Sequence, residues 1–395
     1  MSKKTICPVC SSKSITDLYN IAVPVLQNKV FNKKEDATIS PKGDICLTSC
    51  SSCGFAFNST FDNSILVYDT DYDNSVPSNL FVQYYHSIAE YLYKKYNLKD
   101  GVLYDVGCGK GTFLKILCEK YPDVKAIGID PSYEGELQYA SNLQFVQDFF
   151  AAKYAVEKPS LVISRHVFEH IEQPVDFLKI IADALKKYTN VPFFIEVPDL
   201  TWIIKNEAFW DICYEHCNYF SPAALQTMVK LSNAEFDKVT PGFNDQYLWC
   251  EGILNSTKQS EVSEGKKHAD FVANLSKFTS GIALLKSNSA AMLKEYREKG
   301  FKTVIWGMAT KGVEYCNIID AGNTMIDYCV DVNTNKQNKF IPFTGHKIQS
   351  PDTLINVKGD LLVIIMNINY QSEIKQFIND NNLTALFLNG HGEKI

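Results

Sequence analysis

A chain of 395 residues is too long for a single hydrophobic core, so two or three domains are expected. Its 46% hydrophobic and 21% charged residues are ordinary for a globular protein with real cores, and a net charge of -6 argues against a chain built to ride on phosphate backbones. The opening MSKKTICPVC has no apolar signal-like run and no apolar stretch reaches membrane-spanning length, so a cytoplasmic protein without a membrane partner is expected.

The first region, 1–62, holds paired cysteines, Pro24, Pro41 and Gly43 among brief β-like runs, and is too small for a good core without a staple. Cys7-Pro-Val-Cys10 and Cys50-Ser-Ser-Cys53 form two CxxC knuckles. Each knuckle places two thiolates on one side of a tight loop, and two of them complete a tetrahedral zinc site with no open position. A redox CxxC is the rival reading, although that motif normally follows a strand and opens a helix, and here there are two pairs. Cys46 reads as a bystander.

The second region, 63–258, alternates strands and helices. VLYDVG (102–107), AIGID (126–130), LQFVQ (143–147), LVISR (161–165) and PFFIEVP (192–198) are strand-like, and GTFLKILCEKY and PVDFLKIIADALKKY have apolar residues at helical spacing. Such alternation implies a parallel sheet covered on both faces. The third region, 259–395, opens with a helix-prone polar connector, then TVIWG, IDYCVD, DLLVIIM and ALFLNG read as four strands of a smaller α/β unit.

DVGCGKGTFL (105–114) follows a strand and opens a helix. Gly107, Gly109 and Gly111 permit a tight turn and close approach of backbone to a ligand. A bare GxGxG also serves dinucleotide enzymes. Here Asp105 precedes the loop, where it would repel a pyrophosphate and welcome an amino group, and Asp130 ends the next strand, placed to bind a ribose diol. This combination resembles class I S-adenosylmethionine (SAM)-dependent methyltransferases over about 98–197. The resemblance implies that Asp105, Gly107, Cys108, Gly109 and Gly111 line the cofactor, that Asp130 holds its ribose, and that Asp148 and Phe149 in VQDFF lie near its adenine. RHVFEHI (165–171) looks like the family's segment bordering the transferring methyl group, which puts Arg165 and His166 at the cofactor.

ICYEHCNYFS (212–221) sets Glu215 and His216 among aromatics. Adjacent residues point in different directions, so a purely structural turn is one reading. The other is proton chemistry: methylating carbon requires removal of a proton next to a carbonyl, and an unperturbed histidine is a base near neutrality. The whole arrangement of knuckles, SAM domain, EHxxYFS segment and second α/β unit resembles the sugar C-methyltransferases that act on nucleotide-linked deoxysugars. That resemblance implies His216 as base, Glu215 beside it, and catalytic positions at His170 and Tyr72. Asp331, Asn333 and Lys336 resemble the D-x-N-x-x-K segment of the last domain. The chain departs from the family at Cys213, His166 and Asn338, two of them at the acceptor side.

The expected architecture is therefore α/β: a small N-terminal zinc-binding module, a central class I methyltransferase Rossmann-like fold, and a C-terminal Rossmann-like domain. In the last domain VIWGMATKG (304–312) lacks the middle glycine of a dinucleotide loop. Lys311, Lys336 and Lys339 read either as diphosphate contacts or as solvated surface lysines. The expected cofactors are SAM and structural Zn2+, with a nucleotide-sugar substrate and a monomer or weak homodimer. The alternatives are a methyltransferase acting on oxygen, nitrogen or phosphoryl oxygen of a sugar, and an RNA methyltransferase. In the zinc region the small lysine cluster Lys33 and Lys34 is answered by Glu35 and Asp36, which speaks against nucleic acid.

Overall fold

The structure is a computed structural model that describes residues 3–67, 71–72, 78–258 and 266–395. It contains three sheets. In the N-terminal sheet, Ile15–Pro24 pairs antiparallel with Lys42–Cys50, which pairs with Ala56–Asn58. The fourth strand, Asn218–Tyr219, comes from just beyond the Glu215–His216 pair. The N-terminal module is thereby stitched to the segment that carries the candidate base. Gly43 shows how close the approach is: a Cβ there would lie 2.2 Å from the Tyr214 ring.

The module has no core to itself. Val23, Val25, Ile45 and Leu47 share a buried cluster with Phe209, Trp210 and the C-terminal residues Val313, Tyr315 and Leu362. Cys7, Cys50, Cys53, Phe55 and Phe57 pack with Val102, Tyr104, Phe193 and Phe220 of the central region. A small module gains its apolar burial by wedging between two larger units.

The eight-stranded central sheet runs in the order Glu235–Gly242, Tyr247–Leu254, Val191–Pro198, Leu161–Arg165, Val102–Val106, Lys125–Ile129, Leu143–Val146, Gln138–Ala140. The five compact apolar runs read from the sequence are its parallel interior. An antiparallel hairpin extends one edge, where the expectation was a purely parallel sheet. That hairpin turns through Phe243, Asn244 and Asp245, all at positive φ. Pro241 sits inside its outer strand, which is why the strand is hard to read: proline is tolerated only where no ladder bond is needed.

The connector becomes one helix, Lys266–Glu298. Leu275, Phe278, Ile282 and Leu293 are buried along it at helical spacing, with Ser289 filling the same face. The helix packs on Ile15–Pro24 and on the C-terminal strand Lys302–Trp306. The C-terminal sheet is parallel, in the order Ile348–Gln349, Tyr328–Val330, Lys302–Trp306, Leu361–Ile365, Ala385–Leu388. Its fifth strand, only two residues long, was below the resolution of pattern reading.

Candidate active site

Strand order in the central sheet reverses between Val102–Val106 and Leu161–Arg165, and open α/β sheets bind ligands at the carboxyl ends of strands at such a point. The glycine loop leaves the first of these strands and the 165–171 segment leaves the second. Gly107, Gly109 and Gly111 all adopt positive φ. A Cβ on Gly109 would meet nothing within 4 Å, so the loop presents bare backbone to open space.

Asp105 is 3% exposed, and its Oδ1 has no hydrogen-bond partner. Burial pushes its carboxyl up to about 7, against the pull of Arg165. Asp130 shapes the loop: its Oδ2 accepts the Gly109 amide at 2.8 Å, while Oδ1 accepts both the amide and the hydroxyl of Ser132. Three of about four acceptor positions on the carboxylate are thus taken, leaving one for a ligand hydroxyl where two were expected. Asp148 accepts from Lys153 at 2.7 Å and from Tyr154, which hold it down at about 2, and the neighbouring Phe149 is 74% exposed.

Arg165 is buried under the cleft and committed within the protein. Its Nε and Nη2 lie 2.8 and 2.7 Å from Glu196, and its guanidinium stacks 4.7 Å from Tyr85 and 4.3 Å from Phe113. Glu196 also accepts from Tyr84 and from the Trp249 indole. His166 completes this layer at φ 55, a left-handed conformation uncommon outside glycine. Burial would push its imidazole down, but Glu169 and Glu196 outweigh that and raise it to about 9, which favours the charged form. The expected cofactor residues Arg165 and His166 therefore belong to a buried charge network that frames the cleft.

The residues read as catalytic come together on the 165–171 side. His170 Nδ1–H donates to the Glu215 carbonyl at 2.8 Å, and the rings of His170 and His216 meet edge to face at 5.0 Å. Glu215 is 2% exposed, with Oε1 unpartnered. Burial raises its pKa, offset in part by His170, the Tyr72 hydroxyl, the Gln27 amide and the Lys336 charge. His216 is half-buried. Burial lowers its pKa to about 3, with His170, His166 and Lys311 adding to that and Glu169 opposing. The expectation of an unperturbed imidazole does not hold.

The pattern reading missed the segment 27–31, which ties the site together. Gln27 donates to Glu314 Oε1 at 2.5 Å, Asn28 accepts from Lys336 at 2.8 Å, Lys29 bridges to Tyr72, and Phe31 bridges to Phe340. Lys336 is 1% exposed and also donates to the Met308 carbonyl at 3.2 Å, so it is no surface lysine. Lys311 binds both Asp211 oxygens at 2.5 Å, and Lys339 lies 3.5 Å from Asp71. Glu314 is fully buried and burial pushes its pKa well up; its Oε2, like Gln27 Oε1, has no partner. Asn338, where the chain departs from the family, stands at φ 65, a left-handed conformation that asparagine visits more readily than most residues other than glycine. Cys213 is buried, and its carbonyl accepts the Tyr219 hydroxyl at 3.0 Å.

The four knuckle cysteines offer sulfur atoms within 4.8 Å of one another. Cys7 and Cys53 are 3.6 Å apart, as are Cys10 and Cys50. The sulfur–sulfur edge of a zinc tetrahedron is about 3.8 Å, so the cluster is shaped to hold such an ion.

Comparison with known proteins adds the family. Residues 78–239 match the family described as "Methyltransferase domain", and 254–382 match "C-methyltransferase C-terminal domain". Over 388 residues the chain is 22% identical to C-methyltransferase NovU of Streptomyces niveus, covering 93% of this chain and 90% of that protein. Among solved structures it is similar to 1,6-didemethyltoxoflavin-N1-methyltransferase of Burkholderia thailandensis (12% identity, 44% of this chain and 78% of that one, TM-score 0.35). It is also similar to magnesium protoporphyrin IX methyltransferase of Synechocystis PCC 6803 (14% identity, 46% and 89%, TM-score 0.35). A methyltransferase domain followed by a C-methyltransferase C-terminal domain, together with a relative that matches nearly end to end, makes this chain a SAM-dependent C-methyltransferase related to NovU.

Proposed function

We propose that the protein methylates a carbon next to the ketone of a nucleotide-linked keto-deoxysugar, with His216 as the base that forms the enolate. The observation that carries this is the convergence of His216, His170, Glu215 and Tyr72 at one site in a chain with a C-methyltransferase C-terminal domain. The unpartnered Glu215 Oε1, Gln27 Oε1 and Glu314 Oε2 support a hydroxyl-rich acceptor, since buried oxygens left unpaired cost about 1–3 kcal/mol each.

SAM fits the glycine-loop cleft. The orphaned Asp105 Oδ1 would take its amino group, the bare Gly109 backbone admits close approach, and Asp130 retains one acceptor position for a ribose hydroxyl. When bound, SAM supplies an electrophilic methyl group. Asp105 must be ionised to pair with an ammonium, and in the free protein it titrates at about 7. Between pH 6 and 7.5, SAM affinity should therefore rise, on the order of tenfold, as the ionised fraction of Asp105 grows. Asp105→Asn should flatten that profile and weaken binding at pH 7.5 by roughly 10–100-fold, measured by calorimetry. An unchanged affinity and slope would remove Asp105 from the cofactor site.

Burial disfavours the charged imidazole of His216, which leaves a lone pair available. In the proposed step the α C–H bond breaks, its proton goes to an imidazole nitrogen of His216, and the electron pair moves into the enolate. The imidazolium, unfavourable in the resting pocket, then gains the enolate charge and Glu169 as counter-ions. Tyr72 and Glu215 would orient the acceptor's oxygens. The test is exchange: in deuterated buffer without SAM, the protein should wash the α-hydrogen out of a nucleotide-linked 4-keto-deoxysugar. Absence of exchange with substrate bound would count against an enolate formed ahead of methyl transfer. The low basicity of His216 favours one second reading, an oxygen or nitrogen acceptor, which needs little or no deprotonation.

A further inference from the structure

We propose that Glu169, His170 and His216 form a second metal site, distinct from the four cysteines, that takes an exchangeable divalent cation such as Zn2+ or Co2+ and silences the enzyme when loaded. The silencing, unlike the binding, rests on the reading of His216 as base.

One nitrogen of each imidazole and one Glu169 oxygen lie within 4.8 Å of one another. Donors of a tetrahedral zinc ion bonded at about 2.1 Å sit about 3.4 Å apart, so rotations on the order of an ångström would close the site. A second observation is the state of Glu169. It is 2% exposed, and its Oε2 has no hydrogen-bond partner, so a buried carboxylate oxygen is left for an incoming cation. The other oxygen lies 3.5 Å from His166 Nδ1.

His170 is prepared in the same sense. Its Nδ1–H is held by the Glu215 carbonyl at 2.8 Å, and ligating histidines are commonly oriented by such an outer bond. That bond leaves Nε2 as the lone-pair nitrogen. His216 stands against it ring to ring. Two imidazoles and a carboxylate suit zinc and cobalt better than magnesium, which prefers all-oxygen sites. Three protein donors also leave an open position, so the ion would be accessible and exchangeable, whereas four thiolates close the cysteine site. An ion here would take the His216 lone pair, and the imidazole could then accept no proton.

The test is a titration of the full-length, zinc-loaded protein with cobalt chloride. The expected result is one further equivalent bound, with visible d–d bands and no thiolate-to-metal charge-transfer absorption. Glu169→Gln and, separately, His170→Asn should each weaken this second equivalent by at least about 100-fold while retaining the first. Methyl transfer should fall in step with its occupancy and recover on dialysis. No second equivalent, or one that both folded variants bind as tightly as wild type, would overturn the site. A second equivalent lost in the variants but without effect on methyl transfer would keep the site and overturn the role of His216 as base, which separates the two failures.

Discussion

His216→Ala should lower kcat by about 10³-fold, the scale of a general base removed, while SAM affinity stays within about twofold. The reasoning is local. The hydrogen bonds that shape the cofactor cleft run among Gly109, Asp130 and Ser132, with Arg165 held by Glu196, and none of them uses His216. The imidazole instead faces His170, with Glu169 the group that favours its charged form. Its loss therefore removes the proton acceptor and leaves the methyl donor's site intact. The same variant should fail to exchange the α-hydrogen in deuterated buffer. A variant with most of its rate and exchange would dismiss His216 as the base, and a large loss of SAM affinity would show that the two halves of the cleft are not separable as described.

With zinc on the four cysteines, as the spacing of their sulfur atoms allows, Cys53→Ser should release it and destabilise the protein by at least about 4 kcal/mol, the scale expected when a structural metal is lost. Cys53 is buried in one cluster with Phe55, Phe57, Val102 and Phe220, so the knuckle is part of the central core's wall. The damage should also reach the acceptor pocket. The module's strands lead into 27–31, whose residues hold Glu314, Lys336 and Tyr72. The folded fraction of the variant should show acceptor KM raised more than SAM Kd. Metal content by elemental analysis and the thermal midpoint check the first part; a variant with full zinc and an unchanged midpoint would contradict it.

Much of the fold is legible because its signals are local. The interior strands of the central sheet are apolar runs bounded by breakers, and Gly107, Gly109 and Gly111 mark the loop at its switch point. The antiparallel hairpin at the edge is less visible, since Pro241 and a mixed burial pattern conceal the outer strand. The acceptor side is harder for a different reason. Gln27 and Asn28 reach partners 287 and 308 residues away, and no spacing rule reports a contact between an N-terminal strand's exit and two C-terminal side chains.

Electrostatics was the least legible part. A histidine in a sequence carries its solution pKa, but His216 and His166 move in opposite directions, one to about 3 and the other to about 9. Burial acts on both, and the difference is the company: His166 lies between two carboxylates, whereas His216 answers to two imidazoles and a lysine besides Glu169. Lys336 likewise reads as a surface charge until the fold closes over it.

The central claim is carbon methylation of a keto sugar, and the most direct measurement follows the methyl group itself. The protein would be incubated with SAM labelled with carbon-13 in the methyl position and a panel of nucleotide-linked deoxysugars, in 4-keto and reduced forms. The prediction is a product methyl resonance coupled to a sugar carbon, formed from the keto sugar and absent with the reduced one. A methyl resonance at the shift of an ether or amine, formed equally well from the reduced sugar, would contradict it and leave Glu215 and His216 as groups that position a heteroatom acceptor.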